Sequence, residues 1–184
     1  MLRSYAIVGV AGLVVALSAT GTATAANTKS AASCAGATVD AASVESVDSA
    51  INAVLCLVNH ERTRRGMAAL RLSETLSSSA TEHSEDMADR KYFSHVSPGG
   101  GTLRQRVIRA GYSPKSLVGE TIAWGSQDYS TPAELVRSFM TSAGHRVIVL
   151  DRRYREVGIG MAMAAPMSDM GDDAATLTLN FGRR

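Results

Sequence analysis

The stretch Val157-Gly158-Ile159-Gly160-Met161-Ala162-Met163-Ala164 decides the fold. Large apolar residues occupy every second position, and only glycine and alanine stand between them. A period of two marks a strand, yet neither of its faces is polar. Thr176-Leu177-Thr178-Leu179-Asn180-Phe181 alternates in the same way, with Leu177, Leu179 and Phe181 on one side. A sheet with no wet face needs helices on both sides. The expected architecture is therefore α+β: a three-layer α-β-α sandwich with a small, largely antiparallel sheet.

The rest of the chain supplies the outer layers. From Asp40 onward, Val44, Val47, Ile51, Val54, Leu55 and Val58 recur at spacings of three and four, one apolar stripe on a long helix. Glu61, Arg62, Arg64 and Arg65 read as its solvated polar end, with Gly66 as the stop. A second helix starts after Ser73 as N-cap and carries Leu76, Ala80, His83 and Met87 along one side, ending near Lys91. Leu103, Val107 and Ala110 mark a short third helix closed by Gly111. Thr131-Pro132-Ala133-Glu134 is a helix start, with Leu135, Val136, Phe139 and Met140 facing inward and Gly144 as the end. Ser116 to Gly125 lacks a helical period and reads as a strand, and residues 165 to 173 read as a hairpin loop.

The first 25 residues are read as a signal peptide. Arg3 precedes an apolar run, Tyr5 to Leu17, that is too short to span a bilayer as a mature helix, and Ala23-Thr24-Ala25 gives the small-x-small cleavage pattern. The mature chain is expected to be secreted, with no stable membrane anchor after cleavage. Residues 26–40 read as a flexible segment held by Cys34, and residues 41–184 as one domain. The formal charge of +2 falls to +1 without Arg3. Such near-neutrality points to no nucleic acid partner. Cys34 and Cys56 both lie in the exported part, where two cysteines pair more often than they stay free. A metal pair is the weaker alternative, since no further cysteine completes a ligand set.

Three residues at the ends of local phrases carry chemistry: His95 in Tyr92-Phe93-Ser94-His95, Glu120 in Gly119-Glu120-Thr121, and His145 in Ser142-Ala143-Gly144-His145-Arg146. Imidazole and carboxylate bind zinc-like ions and move protons near neutral pH. Glycine and serine breaks beside them suggest the rim of a pocket. His83 reads as a structural histidine near that pocket, His60 as a surface one, and Trp124 as core. Arg146 reads as half of a salt bridge. Arg104, Arg106 and Arg109 read as a solvated face of the third helix.

Taken in order, these phrases make the chain similar to the CAP superfamily: cysteine-rich secretory proteins, antigen 5, pathogenesis-related proteins and their bacterial SCP-domain relatives. The resemblance runs from Leu57-Val58-Asn59 through His83-Ser84, Phe93-Ser94-His95, Gly111-Tyr112, Gly119-Glu120, Gly144-His145-Arg146 and Val157-Gly158-Ile159-Gly160 to Phe181-Gly182. It implies an α-β-α sandwich and a central cleft of two histidines and two acidic residues that accepts divalent ions in some members. His95, Glu120 and His145 match three of those four positions; the fourth falls at Ser142, where a carboxylate is replaced. Ile148 stands where bacterial relatives usually carry asparagine, a change expected to alter hydrogen bonding at the rim.

The expected function is a secreted, non-catalytic binding module. Its cleft (His95, Glu120, His145, Ser142) takes zinc or another divalent cation through His95, Glu120 and His145, and its partner is an extracellular, lipid or cell-envelope ligand. The competing class is a metal-assisted peptidase or other hydrolase. Against it stand the absence of a Gly-x-Ser-x-Gly turn around Ser94 or Ser142, and the difficulty of Glu120 serving as ligand and free base together.

Overall fold

The computed structural model describes residues 34–40, 43, 47–168 and 173–184. The expected signal peptide therefore lies outside the described residues. Among these residues, no helix is long and apolar enough to cross a membrane. The elements, in chain order, are α1 (Val47–Thr63), β1 (Arg71–Leu72), α2 (Glu74–Asp89), α3 (Leu103–Arg109), β2 (Leu117–Ser126), a 3-10 turn (Gln127–Ser130), α4 (Pro132–Thr141), α5 (Ala143–Val149), β3 (Glu156–Ala162) and β4 (Ala174–Arg183).

The sheet has the order β1-β3-β4-β2. β4 is central and antiparallel to both β3 and β2, while the two-residue β1 joins β3 in parallel. Helix α2 lies along one face over β3 and β4, with α3 beside it, and α1, α4 and α5 cover the other. The three layers expected from the doubly covered strands are present.

The two faces of the sheet differ in kind. Val157, Ile159, Met161, Leu177, Leu179 and Phe181 are buried with Val54, Val58, Leu135 and Phe139 in the main core. On the opposite face the helix backbone lies directly on the strands. A Cβ added at Gly158 would stand 2.0 Å from the Leu76 carbonyl carbon, and one at Gly160 2.0 Å from Thr81 N. The small positions of β3 are thus the seat of α2. Hydroxyls fill the remaining contacts: Ser84 Oγ donates to Gly160 O at 3.0 Å and lies 2.9 Å from Thr178 Oγ1, and Ile159 N donates to Ser77 Oγ at 3.1 Å.

The two caps read from the sequence formed: Ser73 Oγ accepts from Leu76 N, and Thr131 Oγ1 accepts from Glu134 N with Pro132 at the first helical position. The structure adds a third, a capping box of Thr102 with Gln105 on α3. The helix expected to stop at Gly144 instead breaks at Ser142, whose extended backbone (φ −80°, ψ 121°) ends α4 and opens α5. Glycine here sits in the first turn of a new helix rather than after the old one.

The cysteines are joined, Cys34 to Cys56, across 22 residues of chain. Cys34 has company in holding its segment: Ala37 is buried in the main core and its carbonyl accepts from Ala133 N at 2.8 Å.

Arg62 departs from its expected solvated role. It is fully buried and donates to the carbonyls of Ala68 (3.1 Å), Val149 (2.7 Å) and Asp151 (3.1 Å), tying the end of α1 to the chain before β3. Asn59, one turn earlier, exchanges two hydrogen bonds with the backbone of Leu70 at 3.0 and 2.7 Å.

Candidate functional site

Glu120 lies in β2 directly opposite Asn180 of β4, so both side chains leave the sheet on the face that α2 covers. Glu120 is only 5% exposed, and a buried carboxylate needs partners. It has three. His95 Nδ1–H donates to Oε1 at 2.8 Å, and Arg106 Nη2 donates to Oε2 at 2.6 Å. The Asn180 amide, oriented to satisfy its neighbours, donates to Oε2 at 3.0 Å while its oxygen accepts from Ala80 N at 3.2 Å and Ser79 Oγ at 3.3 Å.

Arg106 corrects the reading of a solvated arginine face. Its side chain is 2% exposed, and Nη1 donates to the carbonyls of His95 (3.1 Å) and Gly101 (2.9 Å). The neighbours on α3 behave differently: Arg109 pairs with Glu82 in solvent, and Arg104 donates to the Pro114 carbonyl at the surface. One face of a seven-residue helix thus turns its central arginine inward.

The segment that carries His95 is a loop, but it is pinned from several directions. His83, fully buried on α2, donates through Nε2 to Ser94 O at 3.0 Å. Tyr92 OH donates to Asp86, lies 3.1 Å from Ser97 Oγ, and Arg90 reaches Pro98 O at 3.1 Å. Left-handed backbone at Gly99 (φ 102°) and Gly100 (φ 93°) turns the chain back, so that Ser97 bridges Gly101. His95 is therefore held in place while its side chain stays 53% exposed. Burial pushes the His83 imidazole below its ordinary proton affinity, and the charge of Glu120 partly opposes this.

His145 approaches from the other layer. It sits in the first turn of α5, half-buried, with its ring edge-on to Phe139 at 5.4 Å between centroids. Burial lowers its proton affinity, and the neighbouring charge of His95 lowers it further. The two histidines thus lie within electrostatic reach, and His95 holds Glu120 directly. Ser142, three residues before His145 in the chain, is half-buried, and its side chain makes no capping hydrogen bond to α5.

The remaining expectations at the rim resolve plainly. Arg146 donates to Met140 O at 3.1 Å where a carboxylate partner was expected. Ile148 packs against the main core and lies 3.4 Å from where a Cβ of Gly119 would stand. Trp124 is half-buried at the end of β2.

The donor chemistry bears on which ions fit. With Nδ1–H committed to Glu120, His95 presents Nε2 outward, the arrangement in which a carboxylate orients a metal-binding imidazole. His145 adds a second nitrogen whose neutral state is favoured. Both Glu120 oxygens already accept hydrogen bonds, and no group of three or more His, Cys, Asp or Glu among the described residues is placed to hold an ion. A zinc-like ion held here would have the His95 and His145 imidazoles as its protein ligands. Arg106 and Asn180, which complete this site, left no signal of their own in the sequence: one reads as a solvated helix residue, the other as the polar side of a strand.

The chain belongs to the CAP, or cysteine-rich secretory protein, family, whose model matches residues 55–177. Among curated relatives, uncharacterized protein YkwD of Bacillus subtilis is 40% identical over 107 residues, covering 58% of this chain and 40% of that protein. Uncharacterized membrane protein YlbC of the same species is 34% identical over 108 residues, covering 59% and 30% respectively. The chain thus matches less than half the length of either relative. Among solved structures, an extracellular SCP-domain protein of Bacillus anthracis superposes with a TM-score of 0.61 at 28% identity, covering 77% of this chain and 45% of that one. An outer surface protein of Borrelia burgdorferi gives a TM-score of 0.60 at 18% identity over 71% and 90%, a likeness of fold alone.

Proposed function

We propose that this CAP domain works outside the cell as a non-catalytic binding module, whose His95–His145 cleft takes a divalent cation of the zinc type. Support for the location comes from the extracellular neighbour and from the apolar, cleavable-looking leader at the start of the sequence. The partner it presents the cleft to is a cell-envelope or lipid ligand.

The observation that carries the reading is the state of Glu120. A metal-assisted hydrolase needs a free general base beside the ion. The carboxylate nearest His95 is instead engaged by His95, Arg106 and Asn180. It orients an imidazole, and buried in an ion pair with Arg106 it is poorly placed to take a proton from a water nucleophile. Such a site suits binding better than turnover.

Zinc calorimetry on the mature protein tests this. Saturable uptake should be lost in His95→Ala and in His145→Ala. Uptake that persists in both variants would move the ion elsewhere. Chelator-sensitive cleavage of a peptide or cell-wall substrate, abolished by His95→Ala, would replace the binding reading with the hydrolase.

A further inference from the structure

We infer that the end of the sheet where β3 begins and β4 finishes is a docking surface for an anionic phospholipid membrane, with arginine meeting headgroup phosphate. This surface lies apart from the histidine cleft and does not depend on an ion there.

The fold gathers arginines that are far apart in the chain. Arg71 of β1 pairs with Glu156 of β3, and Glu156 stands opposite Gly182 of β4. That register brings Arg71, Arg155, Arg183 and Arg184 to one edge. Arg152 donates to the Gly66 and Arg65 carbonyls at 3.2 and 3.4 Å, which adds the end of α1 with Arg64 and Arg65. Arg153 stands in the turn between. Eight arginines from four segments thus share one end of the molecule.

Few carboxylates offset them. Glu61 takes both Arg64 and Arg65, and Asp151 takes Arg153. Glu156 lies 3.9 Å from Arg71 and 3.6 Å from Arg184, and Glu74 stands at the margin as the first residue of α2. Arg152 and Arg155 meet only backbone carbonyls among the described residues, and Arg183 is exposed. Beneath this layer, the buried Arg62 guanidinium is pushed below its ordinary proton affinity, first by burial and then by the charge of Arg155, with Asp151 opposing. Like charge at such density works against the compact state, and packing does not require it. The Arg71, Arg153 and Arg184 side chains are 80%, 66% and 56% exposed.

The opposite end of the same strands carries Asp128 and Asp173, beside the Ser126–Ala174 pair. A net charge of +2 hides this separation, yet it would orient the molecule in the field of an anionic surface. Guanidinium forks match phosphate oxygens in pairs. Apart from Arg64 and Arg65, which border the groove between α1 and α4, the arginines project from turns and strand ends. A flexible polyanion would have to be ordered along such a surface, at an entropic cost. Bilayer headgroups already lie in a plane. Basic surfaces against anionic bilayers work in this way, as a reversible contact and not an anchor.

Vesicle co-sedimentation of the mature protein tests this. The protein should bind vesicles of phosphatidylglycerol with phosphatidylcholine, ignore pure phosphatidylcholine, and lose at least about tenfold in affinity between about 0.05 and about 0.5 M salt. Zinc or a chelator should change none of this. Arg71→Glu and Arg183→Glu, on different strands, should each weaken binding about 30-fold, the effect of reversing one charge at such a surface. Arg109→Glu makes the same change in net charge on α3 and should stay within about threefold of the parent. Equal binding to neutral vesicles, or no binding to anionic ones at low salt, would overturn the inference whether or not a variant folds. A loss in Arg109→Glu as large as in Arg71→Glu would overturn it too, by making net charge the cause. A soluble glycerol-phosphate polymer that strips the protein from vesicles at equal phosphate would replace the membrane with a free polyanion. None of these outcomes bears on zinc at the histidines, so this inference and the ion-binding reading fail separately.

Discussion

Arg62 and Arg106 each sit in a helix among other charged residues, and each is buried. Charge at helical spacing normally marks a solvated face, so nothing local in the sequence separates these two from Arg64 or Arg109. What separates them is tertiary: carbonyls of the 149–151 segment meet Arg62, and Glu120 meets Arg106. Arg62→Met should destabilise the fold by about 3 kcal/mol, because several carbonyls lose their donor at once, and urea unfolding would measure it. His83 permits a pH prediction. Its folded proton affinity is lowered from the ordinary 6.5, mainly by burial, so the unfolded chain binds the proton more readily. Its contribution is complete above about pH 6.5 and is lost as the pH falls below that value. Unfolding free energies at about pH 7.5 and about pH 5.5 should differ less in His83→Gln than in the parent; an equal drop in both would remove His83 as the source. His95 and Glu120, which the structure joins at 2.8 Å, were singled out by the distinctive phrases around them. Their supports were not, because Asn180 looks like any polar position on a strand.

Elements were easier to read than residues. Apolar periodicity and caps locate α1 to α4 and strands β2 to β4 in the sequence, since these signals are local. Two elements escaped. β1 is two residues long, held by its pairing to β3 rather than by any pattern of its own. α5 follows α4 after one extended residue, and Gly144 in its first turn looks like a stop. Glycines therefore mean opposite things in this chain, which gives a paired prediction. Gly160→Ala would drive a Cβ into the α2 backbone at Thr81 N, 2.0 Å away, and should cost at least about 1–3 kcal/mol. Gly144→Ala meets nothing within 4 Å and should stabilise α5 by roughly 0.5–1 kcal/mol. Thermal unfolding of the two variants should move in opposite directions. A harmless Gly160→Ala would mean that α2 does not rest directly on β3.

At the scale of the molecule, the doubly covered sheet was the most legible feature, because the alternation in Val157–Ala164 admits no wet face. The meeting of His95 with Glu120 at 2.8 Å was not derivable from any one stretch, since one comes from a loop beside α2 and the other from β2, while His145 comes from α5. The Cys34–Cys56 bridge belongs to this scale as well. It ties the segment around Ala37 to α1, on the layer away from α2. Its reduction should cost about 3 kcal/mol of stability while zinc affinity stays constant, as unfolding and calorimetry under reducing conditions would show. The account stands most directly on the two imidazoles acting as one site. Ring-nitrogen NMR during a zinc titration reads that in a single experiment. His95 and His145 should shift together and saturate at one equivalent, with His60 and His83 unmoved. Separate saturation of the two rings, or a response confined to His60 or His83, would contradict the account.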